Sequence, residues 1–95
     1  MVKVKKLILD ILKPHQPNAL EFATALAEQA GDIQVTLNVV EIDEKTESVI
    51  VEIEGENIDY ESLTDHIKEL GASVHSIDEV QVVSAHKPVK NSADK

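Results

Sequence analysis

Residues 33–53, IQVTLNVVEIDEKTESVIVEI, decide the fold. Ile33, Val35, Leu37 and Val39 alternate with polar neighbours, as do Val49, Val51 and Ile53 after the polar stretch Asp43–Glu47. Alternation at period two places every second side chain on one face of a strand. The segment therefore reads as a β-hairpin with one apolar face. Its turn must keep both apolar sets on that face, because a one-residue slip moves a whole set to the other side. A two-residue turn at Lys45-Thr46 would oppose Val39 to Glu52 and mix the faces. A three-residue turn, Glu44 to Thr46, opposes Val39 to Val51 and Leu37 to Ile53. On the far face this register brings Asn38 to Glu52, Thr36 to Glu54 and Val40 to Ile50.

A helix is expected on each side of the hairpin. Leu20, Ala23, Leu26, Ala27 and Ala30 recur at helical spacing with Phe22 beside them, Pro17 suits a first turn, and Gly31 suits a left-handed cap. Asp59 can cap a second helix whose stripe is Tyr60, Leu63, Ile67 and Leu70, ended by Gly71. Val2 to Lys13, stopped by Pro14, forms the first strand, and Val74 to Ser84 the last. The order β-α-β-β-α-β predicts an α+β ferredoxin-like sandwich: a four-stranded antiparallel sheet, order 4-1-3-2, with two helices on one face. The domain is expected over residues 1–85, with a flexible tail at 86–95.

Composition excludes several functions. The 95 residues hold no Cys, Arg or Trp, and acids outnumber bases 18 to 9. Without Cys there are no disulfides, thiolate metal sites or iron–sulfur clusters, which fits an intracellular protein. Without Arg there is no cradle for acylphosphatase-like chemistry. A net charge of −9 opposes nucleic-acid binding, and the central strands lack the aromatics on which RNA-recognition domains stack bases. The lysines lie mainly towards the chain ends, while nine acids and one base fall between Glu41 and Glu61. Asp10 breaks the apolar run that a signal peptide needs, and no segment approaches the roughly 20 apolar residues of a membrane span.

The sheet face away from the helices carries the candidate site. Ile8, Leu12, Val40 and Ile50, together with Val4, Ile77 and Val83, are read onto that face. A contiguous apolar set there marks a contact surface, so homo-oligomerisation is expected. Asp10, Asn38 and Glu52 lie among these residues, with either His75 and Glu79 or Ser76 and Asp78 according to a bulge in the last strand. Carboxylates desolvated together need a partner or a cation. Lys6 is one internal partner. A hard cation such as calcium suits oxygen ligands from Asp10, Glu52 and Glu79. His75 is the candidate acid or base, with Asp10, Asp78 or Glu79. His15 has a loop-fixing hydrogen bond as its expected role, His66 an exposed place on its helix, and His86 a place in the tail.

Two segments, Leu9-Asp10-Ile11-Leu12-Lys13-Pro14-His15 and Val74-His75-Ser76-Ile77-Asp78-Glu79-Val80, resemble the signatures of the archaeal domain-of-unknown-function family 211. The Glu41-Ile42-Asp43 and Glu52-Ile53-Glu54-Gly55 stretches are similar to that family too. The resemblance spans about residues 3–84. It implies a ferredoxin-like fold and a cytoplasmic homo-oligomer, plausibly a ring, with no established enzymatic activity. It also points to cation binding, which favours Asp10 and Asp78-Glu79 as metal ligands. Glu52 completes the metal set, His75 and Asn38 are the ligand-binding candidates, and calcium or another divalent ion is the cofactor expected.

Overall fold

The computed structural model describes residues 1–84. The elements follow in the expected order: β1 (Val2–Pro14), α1 (Ala19–Ala30), β2 (Ile33–Ile42), β3 (Thr46–Gly55), α2 (Tyr60–Glu69) and β4 (Ser73–Ser84). All paired strands are antiparallel, in the order β2-β3-β1-β4. This is the α+β ferredoxin-like arrangement. The tail expected at 86–95 lies outside the described residues.

Alternation selects the buried face. Leu7, Leu9 and Ile11 of β1 face the helices with Val49, Val51 and Ile53 of β3, and all six are essentially inaccessible. Phe22 and Leu26 of α1 and Leu63 and Ile67 of α2 close the core from above. Each pair is four residues apart, so each helix inserts one short ridge. Leu20, expected in the α1 stripe, is instead 76% exposed, because the stripe centres on Phe22 and Leu26. Ile58 and Ala72 also enter the core, from outside the regular elements.

Both helices start on side-chain caps. Asn18 Oδ1 accepts from Glu21 N–H at 2.8 Å, and Glu21 Oε1 accepts from Asn18 N–H at 3.1 Å. This reciprocal capping box places Pro17 ahead of α1, not in its first turn. Asp59 caps α2 by accepting from Ser62 N–H at 3.1 Å. Gly31 and Gly71 take the positive φ expected after the two helices, 86° and 85°, but ψ of −108° at Gly31 lies outside the left-handed helical region of the expected cap.

The hairpin register differs from the expected one. Asp43 N–H donates to Thr46 O at 2.8 Å, Ile42 opposes Glu47, and the turn holds only Glu44 and Lys45. Such a turn alone would set the two apolar rows out of phase. A bulge at Val40 absorbs one residue, after which Val39 opposes Val49, Leu37 opposes Val51 and Val35 opposes Ile53. The shared face survives. The far-face pairs shift by two: Asn38 meets Ile50 and not Glu52, Thr36 meets Glu52 and not Glu54, and Val40 has no opposite partner.

Three further bulges shape the β1–β4 pair, at Lys5, Asp78 and His75. The first turns Val4 towards the core, where it packs. Val4 was expected on the far face. Ile77 opposes the buried Leu9 and so lies on the helix side, at 45% exposure. It does not join Ile8 and Ile50.

Phe22→Ala should cost about 3–5 kcal/mol in urea denaturation, since it empties a fully buried aromatic site. A loss below about 1 kcal/mol would place the packing centre elsewhere.

Candidate functional site

The far face is built in cross-strand rows. Ile8 is opposed by Glu52 on β3 and by Glu79 on β4, so two carboxylates flank one isoleucine. Lys6, two residues earlier on the same face, reaches diagonally to both, at 3.4 Å from Glu52 Oε2 and 3.3 Å from Glu79 Oε2. Hydrogen bonds to Glu79 and then Glu52 hold the lysine above its usual range. The ammonium of Lys6 thus occupies the space between two of the expected metal ligands.

The other expected residues sit around this centre. Asp10 opposes Ile50 on one side and Ser76 on the other. With Leu12, Ser48 and His75 it lines a shallow hollow. Asp78, on its bulge, accepts a hydrogen bond from Ser76 Oγ at 2.7 Å. The bulges at His75 and Asp78 are why simple alternation could not separate the His75–Glu79 set from the Ser76–Asp78 set. Among the described residues, no three His, Asp or Glu side chains gather as a metal shell within one chain. His75 and Asp10 share the hollow without a hydrogen bond between them. Asn38, on the edge strand, is exposed.

Ile50 lies diagonally between Ile8 and Leu12, since its opposite residue is Asp10. The three make an apolar stripe along the two central strands. Ile8 and Ile50 are half-buried, while Leu12 is 41% and Val40 64% exposed.

A second cluster lies at the hairpin end of β1. Lys13 continues the inward row of Leu7, Leu9 and Ile11, and its side chain is completely buried. Its register partner is Glu47, which continues the inward row of Val49, Val51 and Ile53. Lys13 Nζ donates to Glu47 Oε1 at 3.1 Å and to Pro14 O at 2.8 Å, and lies 5.8 Å from the centroid of the Phe22 ring. The second Glu47 oxygen, Oε2, lies 3.0 Å from His15 Nδ1, and His15 Nε2 lies 2.9 Å from Glu44 O. Both partners of the imidazole are acceptors. Only the doubly protonated ring can donate to both. The bond to Glu47, then that to Glu44 O, holds the His15 pKa above its usual value. His15, then Lys13, holds the Glu47 carboxyl below its own.

His15 therefore has the loop-fixing role expected of it. The burial of Lys13 was not anticipated. The signal was the shared parity of 13 with 7, 9 and 11, and of 47 with 49, 51 and 53. His66, expected to be exposed, keeps only 18% of its side chain accessible and meets Glu69 Oε1 at 3.2 Å through Nδ1. It lines a cleft between the helices.

The family model DUF211, described as an uncharacterised ArCR, matches residues 5–93. This chain belongs to the DUF211 family. An uncharacterised protein of Methanocaldococcus jannaschii is 43% identical to it over 77 residues, covering 81% of this chain and 79% of that protein. The DUF211 match takes in the far face, the Lys13 cluster and both segments that carried the resemblance. No helix among the described residues is long and apolar enough to cross a membrane.

The Lys13–Glu47–His15 cluster has a definite pH signature. The raised His15 contributes stability fully below about pH 6.5, and that contribution is lost as pH rises through its folded value. The lowered Glu47 contributes above about pH 4.3, and that contribution is lost as pH falls. Urea midpoints of the native chain should exceed those of Glu47→Gln most between these limits, with the gap narrowing on either side. A gap independent of pH would separate the cluster from stability.

Proposed function

We propose that this chain is a cytoplasmic, self-associating scaffold or binding module whose copies meet through the far sheet face. It takes a divalent cation such as calcium, or a small ligand, where they meet. The observation that carries this reading is the apolar stripe of Ile8, Ile50 and Leu12 along the two central strands, framed by charge. A contiguous apolar strip on an uncovered sheet face favours burial against another surface. The surrounding charge favours a cation at the contact. One ammonium, Lys6, serves both Glu52 and Glu79, and Asp10 adds a third carboxylate to the same face. Two such faces brought together would crowd carboxylates, which calcium relieves by accepting oxygen ligands from both. Two far faces meeting each other close as a two-fold dimer, so a ring needs a second, different contact, for which the sheet edges are available.

A second reading, acid–base chemistry by His75, draws on the hollow that His75 shares with Asp10. Asp78 and Glu79 are held by Ser76 and Lys6, which leaves Asp10 as the carboxylate for that role.

Light scattering on a sizing column tests the main reading. The native chain should elute as a multimer, and Ile8→Asp or Ile50→Asp should reduce it to the monomer mass with unchanged far-ultraviolet circular dichroism. EDTA should lower the native mass and calcium restore it if the ion bridges copies. Variants that keep the native mass would remove this face as the contact, and a native monomer would remove self-association.

A further inference from the structure

The helix layer contains a cavity unrelated to the sheet face. It lies where the end of α1 meets the start of α2, and holds about 220 Å³. Its floor is apolar: Leu26, Ile33, Ile58 and Leu63, three of them core residues no more than 5% exposed. The cavity exists because the helix seam is lined by small groups there, Ala30 on α1 and Ser62 on α2. A concave apolar floor with a few polar groups at its rim is the usual form of a small-molecule site.

The rim selects the charge of the occupant. Asp59 commits Oδ1 to Ser62 N–H, and its second oxygen makes no hydrogen bond among the described residues. The last turn of α1 carries no basic residue, and Gln29 and Ala30 at its C-terminal end line the cavity. His66 spends Nδ1 on Glu69, which as a carboxylate can only accept. Among the described residues, no Lys lines the cavity. The Asp59 carboxylate and the C-terminal end of α1 favour a donor with positive charge, and the N-terminal end of α2, which also reaches this cavity, is already capped by Asp59.

We propose that this cleft binds a small organic ammonium ion with an apolar ring, its ring on the Leu26–Ile58–Leu63 floor and its ammonium at Asp59. The volume suits one ring on a short chain. The inference stands apart from self-association, since it uses the opposite layer of the fold.

Phenethylamine is a suitable probe, with 3-phenylpropionate as its anionic counterpart and methylammonium as the head group alone. In amide NMR titrations of the full chain, phenethylamine should shift Ile33, Ile58 and Leu63 saturably. 3-Phenylpropionate should bind at least tenfold more weakly, and methylammonium should leave these amides unmoved. Asp59→Asn keeps the helix cap but not the charge, and should weaken phenethylamine at least fivefold. Ala30→Phe should fill the mouth and abolish the shifts while the remaining spectrum stays folded. No saturable shift with phenethylamine would overturn the proposal. So would equal binding of the carboxylate, or undiminished binding by Asp59→Asn.

Discussion

A lysine ammonium buried beside a phenylalanine ring is the constraint on which one end of this structure turns. Lys13 stands on the central strand with no access to solvent, and Glu47 is the carboxylate that balances it. An ammonium left alone there would carry a large desolvation cost, so the β1–β3 register must bring Glu47 opposite it. Hydrophobic alternation alone tolerates a slip of two residues, because parity is preserved. The ion pair does not. His15 then occupies the other carboxylate oxygen and carries the link to Glu44 O in the hairpin turn. One carboxylate thus ties together the end of β1, the loop before α1 and the β2–β3 turn.

Much of the architecture was legible because period two and period 3.6 are unambiguous here. The hairpin, both helices, and the helix ends at Asp59, Gly31 and Gly71 follow from apolar spacing and turn chemistry, and the strand order follows from the β-α-β-β-α-β sequence of elements. What escaped was the placement of single-residue irregularities. The bulge at Val40 let a tight turn coexist with in-phase faces, and an unbulged hairpin could reach the same parity only with a longer turn. The bulges at Lys5, His75 and Asp78 put Val4 and Ile77 on the helix side, against a reading that alternated β1 without interruption and left the position of a β4 bulge open. Bulge positions depend on the strand's twist and its neighbour, and local composition does not mark them.

The candidate site was legible in its membership and less so in its partners. Asp10, Glu52, Glu79, Ile8, Ile50 and Leu12 do share the far face. Lys6, noted as one available counter-ion, is the group that joins Glu52 to Glu79. Two side chains that sequence pattern marks as solvent-facing are held by contacts instead. Lys13 looked like one of several lysines near a chain end, and His66 like a solvent-facing helix residue. Charge type is a poor guide to burial when an opposite charge occupies the matching position of the next strand. The sheet face away from the helices keeps its own charges partly balanced and leaves an apolar stripe between them.

Nitrogen-15 NMR of the His15 ring, recorded at a pH of about 6.5, tests the central link most directly. An unperturbed imidazole is half ionised there. Bridging Glu47 and Glu44 O requires protons on both ring nitrogens, so His15 is predicted to be predominantly imidazolium at that pH, with Lys13 ammonium protons exchanging slowly with water. A His15 ring half ionised or less, or a Lys13 ammonium in fast exchange, would contradict a buried charge cluster at the end of β1.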